Sequence, residues 1–338
     1  MTRATDVGGP LVLGPGLLRA IGDWTPADAV VDDASVVVIE GDVDPSPALD
    51  RFLQRTAALT IGHGPTDVGC DLWSNDHGEV ERWVDAAANH PEASVAAALL
   101  LRRRPDDIWA GLVAESATYS MLQSGPEFAT WLRSPDRPRP GRDREPRVRT
   151  TPAAEGDGVE VVLTRSVRHN ALDVQMRDEL FSVLGELVHR PGPIAILAEG
   201  PSFCSGGDLG QFGTFEDPAS AHLVRLRRSL ARRFSELGER IVVGLHGACL
   251  GAGIELPAFA RRIVAADDSM IGLPEAGLGL IPGAGGTVSV PRRVGPARTL
   301  DLIVTGRSID ALTARSWGLV DEVVPRAQLE RRVRQLAR

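Results

Sequence analysis

The sequence predicts an α/β protein. Three observations carry this. Short runs of β-branched and aliphatic residues recur along the chain, stretches of helical periodicity separate them, and glycine-rich turns lead from strand to helix. With 338 residues, 43% of them hydrophobic, the chain has room for one large domain or two small ones, which excludes a globally disordered or fibrous protein.

The first unit, residues 1–133, opens on a Gly/Pro-rich start. The runs ASVVVIE (34–40) and AALTIG (57–62) read as two short buried strands, with a helical turn or two from Pro47 to Arg55 between them. From Val80 the pattern turns helical. Glu92 to Arg104 is rich in Ala and Leu, Ile108 to Leu122 places apolar residues three and four apart, and Phe128, Trp131 and Leu132 give a short amphipathic piece. His63 and Asp67 stand in the turn GHGPTD, read as a solvated turn rather than a site. Residues 134–150, SPDRPRPGRDREPRVRT, keep no apolar period and read as an exposed linker.

The second unit spans 151–338. GVEVVLT (158–164), PIAILA (193–198) and IVVGLHG (241–247) are short buried strands, and Asp173 to His189 is a helix. Residues 221–237 read as one Arg-studded helix, followed after the third strand by glycine-rich turns and a helical tail.

Charge and composition narrow the function. A formal net charge of −8 argues against a nucleic-acid partner. No apolar run is long enough to span a membrane, and the N-terminus lacks a signal-peptide core, so a cytoplasmic protein without a membrane partner is expected. Cys70, Cys204 and Cys249 form no CxxC or Cys/His cluster, so neither a disulfide framework nor a metal site is expected. The chain contains no lysine, which rules out Schiff-base chemistry, a lysine base and a phosphate-binding GxxxxGK[ST] loop.

Three segments of the second unit carry chemistry. FCSGGDL (203–209) follows a strand, and its glycines let a ligand approach the backbone amides. HGACLGAGIEL (246–256) runs from a strand into a helix starting near Gly251, where free amides can stabilise negative charge. Glu255 lies about one turn into that helix. A first-turn Glu is ordinarily a solvated dipole partner, but the apolar Ile254, Leu256, Pro257 and Phe259 make burial plausible here. GLPEAGLGLIPGAGGT (272–287) sets Glu275 among apolar neighbours. Such a carboxylate is costly unless protonated, paired or used, and a raised pKa suits a general acid.

Together with RHNALD (168–173), these segments resemble the crotonase superfamily, the enoyl-CoA hydratase/isomerase family, over roughly residues 158–325. The resemblance implies a crotonase-like spiral of ββα repeats preceded by an N-terminal mixed strand/helix region. It also implies an acyl-CoA substrate, no cofactor beyond the coenzyme A of that substrate, and assembly as homotrimers or dimers of trimers. The motif positions put the oxyanion-hole amides at Gly207 and Ala252. They make Glu275 the acid/base at Cα and let Glu255 hold or activate water. Arg168, His169, Asn170, Ala171 and Leu172 match the loop that cradles CoA. Phe203, Cys204 and Ser205 would line the same groove, with Gly206, Asp208, Leu209 and Gly251 as further binding positions.

Retention of both glutamates favours an enoyl-CoA hydratase adding water syn to a 2-enoyl thioester. An isomerase, a CoA-thioester hydrolase and a non-catalytic scaffold subunit are the alternatives. The chain departs from the family pattern at its ends. Family members continue in helices past the segment matching GLVDEVVP (318–325), whereas residues 91–133 here look like that helical tail. The expectation is a permuted or degenerated duplication whose first unit caps the second, set against an unrelated helical extension. In the first case Tyr119 and Trp131 are candidates to wall the pocket, with core packing the simpler role for both.

Overall fold

In a computed structural model, residues 9–14, 34–135, 137–139, 141, 145–153, 156–215 and 217–338 are described; most of the Gly/Pro-rich start lies outside them. Three sheets organise the chain. The first is fully parallel, with the order β1 (Leu11–Leu13), β2 (Val36–Glu40), β3 (Leu59–His63), β4 (Leu72–Ser74). Sequence reading found β2 and β3. Three-residue strands such as β1 and β4 are too short to show a period.

Alternation along β2 divides the apolar side chains of this sheet between its faces. Val37 and Ile39 join Leu13, Leu49 and Phe52 beneath helix α1 (Pro47–Arg55). Val36 and Val38 face the other way, with Leu59 and Ile61, into the main core. Helices α2 (His77–Asn89), α3 (Pro91–Arg102), α4 (Ile108–Gln123) and α5 (Pro126–Leu132) follow. Asp76 and Asp107 cap the first and third of these by accepting the Glu79 and Ala110 N–H groups at 3.0 and 2.7 Å. The GHGPTD turn lies at the end of β3, where Asp67 accepts the Gly69 N–H at 2.8 Å.

The second sheet holds β5 (Val148–Pro152), β6 (Val159–Leu163), β7 (Ile194–Ala198), β8 (Ile241–Leu245), β10 (Arg262–Ala266) and β13 (Glu322–Val324). Its order is β13-β10-β8-β7-β6-β5, parallel except for β5 against β6. The linker expectation therefore needs correction at its C-terminal end. Val148 to Thr150 belong to a strand, and Arg147 is buried, its Nε 3.3 Å from Asp173. An ion-paired arginine and a polar edge strand carry no apolar period, so the sequence pattern misses both.

Helix α6 (Val174–Val188) covers one face of this sheet, capped by Asp173. The segment 221–237 is not one helix. α7 (Pro218–Arg227) stops before Ser229, whose hydroxyl accepts the Arg232 N–H at 3.1 Å and starts α8 (Leu230–Leu237). A serine cap inside a continuous helical period is invisible to periodicity. The third sheet, β12 (Ser308–Asp310), β11 (Met270–Gly272), β9 (Ala248–Leu250), pairs β9 and β11 in parallel and carries the site described below.

Helices α2 to α5 pack on α7 and on α10 (Gly286–Val294) and α11 (Pro296–Thr305), inside one continuous apolar core shared by both units. Polar ties fix the docking. The buried Trp83 indole N–H donates to Asp301 at 2.9 Å. Arg102 pairs with Asp71 and donates to the Thr56 and Ala58 carbonyls at 2.8 Å each, joining α3 to the first sheet. Helices α2 to α5 thus lie against the second unit.

Candidate active site

Glu255 and Glu275 meet because β9 and β11 are neighbours. Leu250 pairs with Gly272 at their ends, and the two strands release side by side the segments that carry the glutamates. Glu255 ends the short helix α9 (Ala252–Glu255), and Glu275 opens a 3-10 turn, Glu275–Leu278. Between strand and helix, Gly251 adopts φ 50° and ψ −121°, and a Cβ there would collide with the Glu275 carboxylate. Glu255 Oε1 lies 3.7 Å from the same point, so both carboxylates face Gly251.

The other oxygen of Glu255 is pinned. Oε2 accepts the Ala284 and Gly286 N–H groups at 2.7 and 2.8 Å. The intervening amides go to a third carboxylate, Glu115 of α4. Its Oε1 accepts the Gly285 N–H at 2.7 Å, and its Oε2 accepts the Thr287 N–H and hydroxyl at 2.9 and 2.6 Å. The N-terminal turn of α10 thus divides its free amides alternately between two buried glutamates. Glu115 comes from the capping helices, and sequence reading gave it no role in the site. The usable signal was an acidic residue between Leu112 and Tyr119 on an otherwise apolar helix face.

Burial pushes all three carboxyls upward. Glu115 rises to about 7 through desolvation, partly offset by its bonds to Thr287 and Gly285. Glu275 rises to about 8, again mainly through desolvation, with the Glu115 charge adding to it. Glu255 is also raised, by burial first and then by the Glu275 and Glu115 charges, while the Ala284 and Gly286 amides act against the shift.

All three glutamates line one cavity, together with Gly207 and Ala252. The GGD loop is held by a bridge in which Leu172 donates to Gly206 O at 2.8 Å and accepts from the Asp208 N–H at 3.0 Å. Gly207 lies between these bonds, and Ala252 is the first residue of its helix. Among the described residues neither N–H finds an acceptor. A buried ionic chain braces the loop: Asp208 pairs with Arg165 at 2.8 Å, and Arg165 with Asp173 at 3.3 Å.

A family model described as enoyl-CoA hydratase/isomerase matches residues 155–338. The chain belongs to the enoyl-CoA hydratase/isomerase family. The enoyl-CoA hydratase of Thermoplasma volcanium is similar in structure, with 31% identity, a TM-score of 0.52, and coverage of 57% of this chain and 78% of that one. The Bacillus anthracis enoyl-CoA hydratase gives 29% identity, a TM-score of 0.51, and coverage of 56% and 75%. A Thermobifida fusca protein solved in complex with CoA gives 29%, 0.51, 56% and 77%.

Within this enoyl-CoA hydratase/isomerase family member, the structure sorts the expected binding positions. Leu172 and Asp208 line the cavity with Gly207. Arg168, His169, Asn170 and Ala171 form the neighbouring loop but do not line it, and neither do Ser205, Gly206 and Leu209. His169 and Asn170 both take φ 52°; the buried Asn170 side chain donates to Glu199 O and Ser202 O at 2.9 and 2.8 Å, a loop-holding role. Phe203 and Cys204 are corrected from groove to core. Both are nearly inaccessible and border a small apolar void beneath the loop.

Tyr119 walls the cavity, its ring packed on Gly283. Trp131 does not; it stacks on Phe128 at 5.6 Å and meets Phe212 edge-on at 6.1 Å.

Proposed function

We propose that this protein is an enoyl-CoA hydratase that adds water syn across a conjugated 2-enoyl thioester. The observation that supports this reading most is the convergence of Glu255 and Glu275 on one cavity beside the free Gly207 and Ala252 amides.

The chemistry follows from the unequal partners of the two carboxyls. Two amides stabilise Glu255 as the anion, whereas the buried Glu275 Oε2 has no hydrogen-bond partner. Burial raises both carboxyls, so the pair shares one proton near neutrality, and hydration draws on the state in which Glu275 carries it. Water held by Glu255 loses a proton to it as the oxygen adds to Cβ. Negative charge moves to the thioester oxygen, where the Gly207 and Ala252 N–H groups stabilise it. Glu275 then delivers its proton to Cα, and transfer of the proton from Glu255 to Glu275 restores the starting state.

The test is loss of the conjugated-thioester absorbance of crotonyl-CoA with full-length protein, run beside Glu255→Gln and Glu275→Gln. Turnover that needs both glutamates supports the reading, with Glu275→Gln retaining thioester binding. Saturable binding without hydration moves the reading to an isomerase or hydrolase.

A further inference from the structure

Among the described residues, the cavity wall carries a half-buried guanidinium without a carboxylate partner, which the hydration chemistry leaves unused. Arg225 of α7 lines the same cavity as the glutamates, and its guanidinium lies over the Tyr119 ring, 4.6 Å from the centroid. Tyr119 in turn packs on Gly283, next to the turn that holds Glu255.

Among the described residues its N–H groups meet only neutral acceptors. Nε donates to the Ser116 hydroxyl at 3.2 Å, and Nη1 to Gln123 Oε1 at 3.1 Å. Nη2 donates to Ser116 O at 3.4 Å and to the Ser120 hydroxyl. The nearby Glu115 makes no hydrogen bond to it: its oxygens accept from Gly285 and Thr287, and its charge reaches Arg225 only across space. Buried Arg102, Arg147 and Arg165, by contrast, each face a carboxylate.

A clamp between α7 and α4 needs donors but no charge, and a neutral amide side chain supplies donors without the desolvation cost of a cation. Burial accordingly pulls the Arg225 pKa down. Nη1, with two N–H groups and one bond, keeps a donor free for a ligand.

We propose that Arg225 makes this wall an anion site, and that the acyl group taken by the cavity ends in a carboxylate. The substrate class is then the monothioesters of 2-enedioic acids. This rests on the cavity taking enoyl-CoA thioesters. A phosphate of CoA is the other anion that a guanidinium could hold. The exposed Arg228 on the same cavity is placed for solvent-side charge, whereas Arg225 is half-buried.

The test is calorimetric binding to full-length protein of glutaryl-CoA, valeryl-CoA and free CoA, three ligands that do not react. Glutaryl-CoA is expected to bind at least about tenfold more tightly than valeryl-CoA, the scale of one charge-assisted contact. Arg225→Gln should erase that preference while leaving free CoA and valeryl-CoA unchanged. Arg225→Lys, which keeps the charge, should retain part of it and guards against a misfolded Gln variant. Equal loss for all three ligands assigns Arg225 to a CoA phosphate and overturns the proposal. A preference that is absent in the wild type, or untouched by Arg225→Gln, leaves Arg225 a helix clamp and also overturns it. Failure of all three ligands to bind removes the acyl-CoA reading itself.

Discussion

Replacing Glu115 with Gln tests whether the capping helices take part in the chemistry or only cover it. Glu115 accepts three hydrogen bonds, from Gly285 N, Thr287 N and the Thr287 hydroxyl, at 2.7, 2.9 and 2.6 Å. A glutamine has one acceptor oxygen, so its NH2 would face at least one of these donors. One buried donor without an acceptor costs about 1–3 kcal/mol. That strain falls on the turn whose other two amides fix Glu255 Oε2, and a small misplacement there lowers the rate by roughly ten- to a hundredfold. The loss should appear in kcat, with KM little changed, because Glu115 does not act on the thioester oxygen.

A second readout separates positioning from mere stability. The Glu115 charge contributes to the raised pKa values of Glu255 and Glu275. Removing it lowers both, so the alkaline limb of the rate profile should move to lower pH in Glu115→Gln. Steady-state hydration of crotonyl-CoA from pH 6 to 9 measures both quantities. A variant with wild-type kcat and an unmoved alkaline limb refutes the reasoning.

Three further outcomes are expected. In the wild type, hydration should decline as pH rises through about 8, where Glu275 loses the proton it is proposed to deliver; a rate still climbing at pH 9 would contradict that role. Thermal stability should also fall with rising pH. The folded carboxyl pKa values of Glu115, about 7, and Glu275, about 8, exceed the ordinary 4.5, so the folded state binds more protons between those values. Their contribution is fully present below about 4.5 and is lost as pH rises through 7 to 8. Melting curves at pH 6 and 8.5 check this, and Glu275→Gln should flatten the difference. Deleting residues 1–133 should yield an aggregating, inactive chain, because it removes Glu115 and Tyr119 and bares the faces of α10 and α11 that now lie in the shared core; a soluble, active remainder would contradict that packing.

Much of the second unit was legible in the sequence because its signals are local. Asp173 caps α6 at the position the periodicity marks, and the buried runs at 158–164, 193–198 and 241–247 contain β6, β7 and β8. The loop motifs were legible for the same reason: a glycine such as Gly251, where a side chain would strike Glu275, leaves its trace at one position. What the sequence hid was either polar or short. The paired Arg147, the edge strand Val148–Pro152, the Ser229 break and the three-residue strands β1 and β4 lack an apolar period. Phe203 and Cys204 were read as groove residues because their motif borders the site, while both side chains are buried in the core beneath the loop.

The sequence by itself determined the α/β class and the order of most elements, which rest on periods, caps and glycines whose physical causes act within a few residues. Glu255, Glu275, Gly207 and Ala252 were singled out by resemblance to the family's motifs. Only the tertiary structure decided that Glu115, 140 positions before Glu255, shares the amides of one helix turn with it. The same holds for Arg225, which meets Tyr119 and Gln123 across a helix pair and, among the described residues, lacks a carboxylate partner. Whether a buried charge is paired depends on which distant elements pack against it, and no local pattern in the chain encodes that.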